Sequence, residues 1–269
     1  NDTPIILDTE ALCINGNWQY YVFDIISHPT YDNIAQQPFE DRLTCFTEFV
    51  NTDKSGVLCN KHFIKLDTDN YKTAIKDFHN SMLAQEYEID GLIFISGGAS
   101  YNKTRNYKWK SIEFMAIDFV AKKCPAEMLG ISPYVNRDNY TLYLLFAGIQ
   151  SDHYKKLGIE KFQAYTKIFS NVCDNQYGRV RDKYYPIQFS PSSNPYAYLF
   201  WCENSQLNNR IVELTYDITK SDWRLLKVRD DREEAFKNKT YYGNYFKFAE
   251  HIWMNYQNPL TMKTLGQDA

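Results

Sequence analysis

Ile5-Ile6-Leu7-Asp8-Thr9-Glu10-Ala11-Leu12 runs into Asn15-Gly16-Asn17 and then into Trp18 to Ile26, and this stretch decides which fold class to expect. Both arms are apolar or alternating, and Asn-Gly between such arms is a strong short-range sign of a tight β-hairpin. The chain therefore begins with antiparallel β structure. Asp8 and Glu10 lie two residues apart on the first arm and so share one strand face. Alone, they read as ordinary solvated acids.

Working outward, Phe39, Leu43, Phe46 and Val50 fall at helical spacing. A second helix shows Tyr71, Ala74, Ile75, Phe78 and Met82 on one stripe, with Asp67 or Thr68 as its expected cap. Gly91 to Ile95 reads as a buried strand, Gly97-Gly98 as a turn, and Tyr107 to Lys110 and Met115 to Val120 as further strands. Beyond Cys124-Pro125 the pattern changes. Strands are expected at Tyr140 to Phe146, Tyr185 to Phe189, Tyr196 to Cys202, Arg210 to Tyr216 and Trp223 to Val228, with a helix around Ile159 to Phe169. Five short strands and one helix suit a small barrel of the OB type. The expected class is α+β: residues 1–123 form an antiparallel-sheet domain, 124–236 an OB-type barrel, and 237–269 a C-terminal extension.

The 269 residues allow one large domain or two modest ones at about 150 residues each. Hydrophobic residues at 44% and charged residues at 23% are globular proportions, which exclude disordered and fibrous classes. The 22 Tyr and 17 Phe are spread evenly without a repeat, so they say little about base stacking. A net charge of -3 argues against coating nucleic acid through an overall field, leaving local basic clusters to do any such work. Six cysteines without a CxxC point to reduced thiols rather than zinc or a redox dithiol. No apolar run approaches the ~20 residues that a spanning helix needs. The first residue is Asn rather than Met and strand-like sequence follows at once, as in a piece of a longer polypeptide.

Three further stretches carry charge in suggestive places. Asp90-Gly91 opens the apolar run Leu92-Ile93-Phe94. Tyr107-Lys108-Trp109-Lys110 projects two lysines to one side of a strand; a basic edge that discourages aggregation would look the same. Leu226-Lys227-Val228-Arg229-Asp230-Asp231-Arg232 ends a strand in a dense cluster of both signs, as a surface ion-pair network also would.

In this order and spacing, the four stretches resemble the motifs of the covalent nucleotidyltransferase superfamily, and most of all the mRNA guanylyltransferases of large cytoplasmic DNA viruses, poxviruses included. Asp8-Thr9-Glu10-Ala11 is similar to the family's Asp-Gly-Glu motif and Tyr20-Tyr21-Val22-Phe23-Asp24 to its aromatic strand. Asp90-Gly91-Leu92-Ile93-Phe94 resembles the Asp-Gly-hydrophobic motif, Lys108-Trp109-Lys110 with Ile117-Asp118-Phe119 the Lys-Trp-Lys motif and its sequel, and Arg229-Asp230-Asp231-Arg232 the closing Arg-x-Asp-Lys. Thr9, Ala116 and Arg232 depart from the family's Gly, Thr and Lys. The family's nucleophilic Lys-x-Asp-Gly motif, which belongs ahead of the first of these, does not occur; Lys54-Ser55-Gly56 lacks the Asp and comes too late. The expectation is that this lysine lies on preceding residues and that the fragment alone is inactive.

The resemblance implies an enzyme that takes GMP from GTP onto a lysine and passes it to 5′-diphosphate RNA. Lys108 and Lys110 are expected to neutralise the transferring phosphate, with Arg229 and Asp231 orienting the leaving pyrophosphate once the OB domain closes. Phe23 would stack on the base, and Glu10 would contact the ribose if it does not bind metal. Magnesium or manganese is expected on Asp90 first and Glu10 second. The resemblance further implies fused or associated triphosphatase and methyltransferase domains, no membrane, and a cytoplasmic location in a viral factory or virion. An ATP-dependent polynucleotide ligase shares this chemistry and several motifs, and a non-catalytic nucleic-acid-binding scaffold would explain the missing lysine.

Overall fold

The structure is a computed structural model describing residues 3–103, 105–130, 138–150, 184–189, 198–201 and 206–266. It divides into two compact units, residues 1–111 with 260–269, and residues 112–259.

In the first unit, strands β1 (Ile6–Ile14) and β2 (Asn17–Ser27) pair antiparallel. Asn15 and Gly16 between them adopt φ 51° and 82°, the doubly left-handed turn that matches strand twist and that Asn-Gly tolerates best. Register shifts at Ile6/Leu7 and Asp8/Thr9 bend the hairpin. A three-residue strand, β3 (Leu58–Asn60), adds parallel to β2. Helix α1 (Phe39–Thr52) buries Phe39, Cys45, Phe46 and Val50 in one core with Val22 and Ile25 of β2. Helix α2 (Tyr71–Leu83) buries Ile75 with Leu92 and Trp109. The residue preceding α2 is Asn70, which makes no side-chain cap, and the Thr68 hydroxyl instead donates to Asp69, so the cap expected from Asp67 or Thr68 does not form. Strands β4 (Gly91–Phe94) and β5 (Tyr107–Lys110) make a separate antiparallel pair.

The second unit is built on β6 (Ile117–Lys123), β7 (Thr141–Gln150), β8 (Tyr184–Gln188), β9 (Tyr198–Trp201), β10 (Arg210–Asp217) and β11 (Asp222–Val228). They run β11-β10-β6-β7-β8, with β9 on β7 beside β8, and every pairing is antiparallel. Strands β9 and β11 approach each other, but among the described residues no hydrogen-bonded ladder closes the sheet into a barrel. The observed class is mixed α+β with several antiparallel sheets. The helix expected at 159–169 lies outside the described residues.

Compactness parts the chain at Ser111–Ile112, not at the Cys124-Pro125 change of character, because β6 hydrogen-bonds to β7 and β10 and is buried almost throughout. Cys124-Pro125 starts the short 3-10 turn on the way from β6 to β7. Residues 237–269, set apart above as an extension, instead complete both cores. After helix α3 (Glu233–Lys237), helix α4 (Phe246–Gln257) buries Phe246, Ala249, Trp253 and Tyr256 in the second unit. Helix α5 (Met262–Gly266) brings Met262 and Leu265 to the α2 core of the first. An apolar stripe gains its stability only from the surface it meets.

Candidate active site

The β4–β5 pair places the first group of charges. Lys110 stands opposite Gly91 and Lys108 opposite Ile93, while Trp109 turns inward between the lysines and is buried. The Trp109 indole donates to the Leu260 carbonyl at 2.5 Å and meets the His79 ring edge-on at 5.5 Å, so β5 is anchored at its centre. Alternation then sends Lys108 and Lys110 to one side. Lys110 forms an ion pair with Asp90, and Lys108 is exposed. Gly91 permits this approach, since a Cβ there would lie 1.9 Å from the Trp109 carbonyl oxygen.

The hairpin places the second group. Asp8 and Glu10 do not act together: Tyr101 donates to Asp8 at 2.7 Å, while Glu10 accepts from Lys61 at 2.5 Å. The Lys61 ammonium also lies 5.5 Å from the centre of the Phe23 ring, so one lysine joins the two expected nucleoside residues. Tyr87, three residues before Asp90, packs edge-on against Tyr21 at 5.3 Å. Burial first, and the nearby Glu10 carboxylate next, push the Tyr87 phenol upward. Lys61 escaped the sequence reading because it follows a strand of three residues, too short for a visible period.

Asp90 and Glu10 were the expected metal ligands, and each is instead bound to a lysine. No group of three or more His, Cys, Asp or Glu side chains among the described residues is arranged to hold a metal ion. As paired here, the described residues do not fit a resident divalent cation.

The third group lies in the second unit, at the end of β11. The Arg229 Nη1 donates to both oxygens of Asp118 at 3.1 and 2.8 Å, and its Nε and Nη2 donate to Asp231 at 2.9 and 2.8 Å. Tyr241 donates to Asp118 at 2.7 Å, and Glu213, opposite Asp118 on β10, lies 3.6 Å from Arg229 and 3.2 Å from Lys227. Arg232 stands 3.3 Å from Asp231. Three carboxylates around one guanidinium raise its already high pKa further, the Asp231 hydrogen bond contributing most. Asp118 carried a signal in sequence, an acid between Ile117 and Phe119 in an apolar strand; Tyr241 and Glu213 carried none.

The same hydrogen bond from Arg229 lowers the Asp231 carboxyl from 3.8 to about 2. Because the folded value lies below the ordinary one, the stabilisation from this pair is complete above about pH 4 and is lost as pH falls through about 2. A carbon NMR titration of Asp231 is therefore expected to show a midpoint far below 3.8, returning toward it in Arg229→Gln. An unshifted midpoint in the unsubstituted chain would show that the pair does not form in solution.

The first unit thus holds two lysine–carboxylate pairs and the second an arginine held by acids. Residues 141–262 match the family description "mRNA capping enzyme, C-terminal domain". Over 98% of its length the chain is 31% identical to mRNA-capping enzymes of African swine fever virus, among them those of a tick isolate from South Africa and a pig isolate from Kenya. Over nearly its whole length the chain is thus related to viral mRNA-capping enzymes. It spans 30% of the length of these curated relatives. No helix among the described residues is long and apolar enough to cross a membrane.

Proposed function

We propose that this chain is the guanylyltransferase portion of a capping enzyme, binding GTP and handling its phosphates while GMP passes through a lysyl intermediate to 5′-diphosphate RNA. The observation that carries this reading is the β4–β5 pair, where Lys108 and Lys110 leave one side of a strand anchored by Trp109 and Asp90 holds the second lysine in place. In the first step a neutral lysine nitrogen bonds to the α-phosphorus of GTP, the bond to the bridging oxygen breaks, pyrophosphate leaves and the nitrogen gives up one proton to solvent. In the second, a terminal phosphate oxygen of the RNA bonds to the same phosphorus, the P–N bond breaks and the lysine regains its proton. Two easier steps replace one hard one. Lys108 and Lys110 supply fixed positive charge at the transferring phosphate, Arg229 binds the phosphate that departs, and Glu10 with Phe23 takes the nucleoside. Any divalent ion arrives as the counter-ion of the triphosphate.

The sequence offers no Lys-x-Asp-Gly, so the nucleophile has to come from a segment that bears one. On this reading the second unit is an OB-type domain: five of its strands were expected as such, and the near approach of β9 to β11 is that of a sheet curling on itself. The cytoplasmic location belongs to the same reading and rests on the resemblance alone. The test is labelling with radioactive GTP or ATP. Residues 1–269 alone are expected to form no adduct, and the same residues joined to a Lys-x-Asp-Gly segment to take label from GTP only. Label from ATP would support a ligase, no label in either form a binding scaffold, and robust labelling of residues 1–269 alone would move the nucleophile to Lys54 or another internal lysine.

A further inference from the structure

We propose that Tyr241 is a positioning residue for Arg229: its hydroxyl fixes the Asp118 carboxylate that grips one edge of the guanidinium, and thereby aims the other edge at an incoming phosphate. The consequence for catalysis rests on the guanylyltransferase reading above; the positioning itself does not.

Arg229 has two hydrogen-bonding edges with different surroundings. The Nη1 edge is given to Asp118, whose side chain is only 8% exposed, while the Nε–Nη2 edge is given to Asp231, whose side chain is 59% exposed. A guanidinium fork fits a carboxylate and a phosphate alike. The edge now on Asp231 is thus the one that a phosphate can take over from solvent, and the direction in which it points is set by Asp118. Asp118 is held from more than one side by a single segment. Tyr241 donates to its Oδ2, the Asn244 amide donates to its carbonyl at 2.7 Å, and its own amide donates to the Asn244 side-chain oxygen at 2.7 Å. The Tyr241 ring packs against the core of the second unit and faces the Arg232 guanidinium at 5.3 Å. Burial, and then the bond to Asp118, keep the phenol well above its usual range, so it remains a donor at neutral and mildly alkaline pH.

Tyr241→Phe keeps the ring and removes only the donor, and two measurements read the result. In residues 1–269, without any catalysis, the Arg229 Nε–H is expected to exchange with solvent about tenfold faster, while the amides of Phe119 and Val120 on β6 stay as protected as before. Exchange at Arg229 within twofold of the unsubstituted chain, or equal loosening of the β6 amides, would overturn the proposal in favour of no role or of a merely structural one. In a polypeptide that also carries a Lys-x-Asp-Gly segment, adduct formation from GTP is expected to slow about tenfold, with transfer of GMP from the preformed adduct to diphosphate RNA unchanged within twofold. Equal slowing of both steps, or of neither, would overturn it as well. If the unsubstituted polypeptide forms no adduct, the guanylyltransferase reading alone fails, and the exchange measurement still decides whether Tyr241 positions Arg229.

Discussion

Lys110→Ala, made in a polypeptide that joins residues 1–269 to a Lys-x-Asp-Gly segment, is expected to slow formation of the GMP adduct by about a hundredfold or more, and Lys108→Ala to do the same. Removing one preorganised donor from a developing oxyanion commonly costs ~10²–10³ in rate, because a fixed charge needs no reorganisation when the reaction occurs. The two lysines reach this effect differently. Lys110 is tied to Asp90, so its loss also leaves a carboxylate without its cation beside an anionic substrate; Lys108 is exposed with its charge uncompensated by Asp90. Asp90→Asn in the Lys110→Ala background is accordingly expected to recover part of the rate, and in the Lys108→Ala background to recover none. Lys110→Arg is expected to be a poor substitute, since a planar fork does not reproduce a point charge. Single-turnover labelling with radioactive GTP measures all of these. A loss below fivefold for both alanine variants would remove the β4–β5 lysines from the chemistry.

Arg42→Met is expected to destabilise the first unit by ~3–5 kcal/mol, the cost of stranding one partner of a buried ion pair. Arg42 lies in α1 with its side chain fully buried, and donates to Asp24 through Nε at 2.7 Å and Nη2 at 2.9 Å. Its Nη1 donates to the Gln37 carbonyl at 2.6 Å and the Ala99 carbonyl at 2.9 Å. One side chain therefore links β2, the segment before α1 and the loop between β4 and β5. Arg42→Lys cannot span these acceptors from a single nitrogen and is expected to cost nearly as much. Arg42→Met with Asp24→Leu is expected to recover part of the loss, since an apolar pair leaves no charge unpaired. By contrast, Lys65→Ala breaks an exposed pair with Glu40, 75% and 58% exposed, and is expected to change stability by no more than ~0.5 kcal/mol. Urea denaturation followed by tryptophan fluorescence measures these differences. Equal midpoints for Arg42→Met and Lys65→Ala would show that the Arg42 cage contributes nothing net.

What the amino-acid sequence determined by itself is what depends on neighbours within a turn or a strand. Asn15-Gly16 specifies its hairpin because the left-handed φ values belong to those two residues. The Tyr107 to Lys110 strand was legible residue for residue, since a period of two sends Trp109 one way and both lysines the other whatever lies across from them. The helical stripe of α1 was legible too, but it gave no warning that Arg42 is buried beside it. That outcome, and most of the polar architecture, was decided by partners far along the chain. Arg42 finds Asp24 18 residues away, Lys61 finds Glu10 51 away, Arg229 finds Asp118 111 away and Tyr241 finds Asp118 123 away. The same holds for β6, which joins the second unit through its ladders, and for α4 and α5, which complete different cores from one short tail. Local preferences set which elements form; which charge is buried, and against what, is set by the free energy of removing it from water, and only the assembled surfaces determine that.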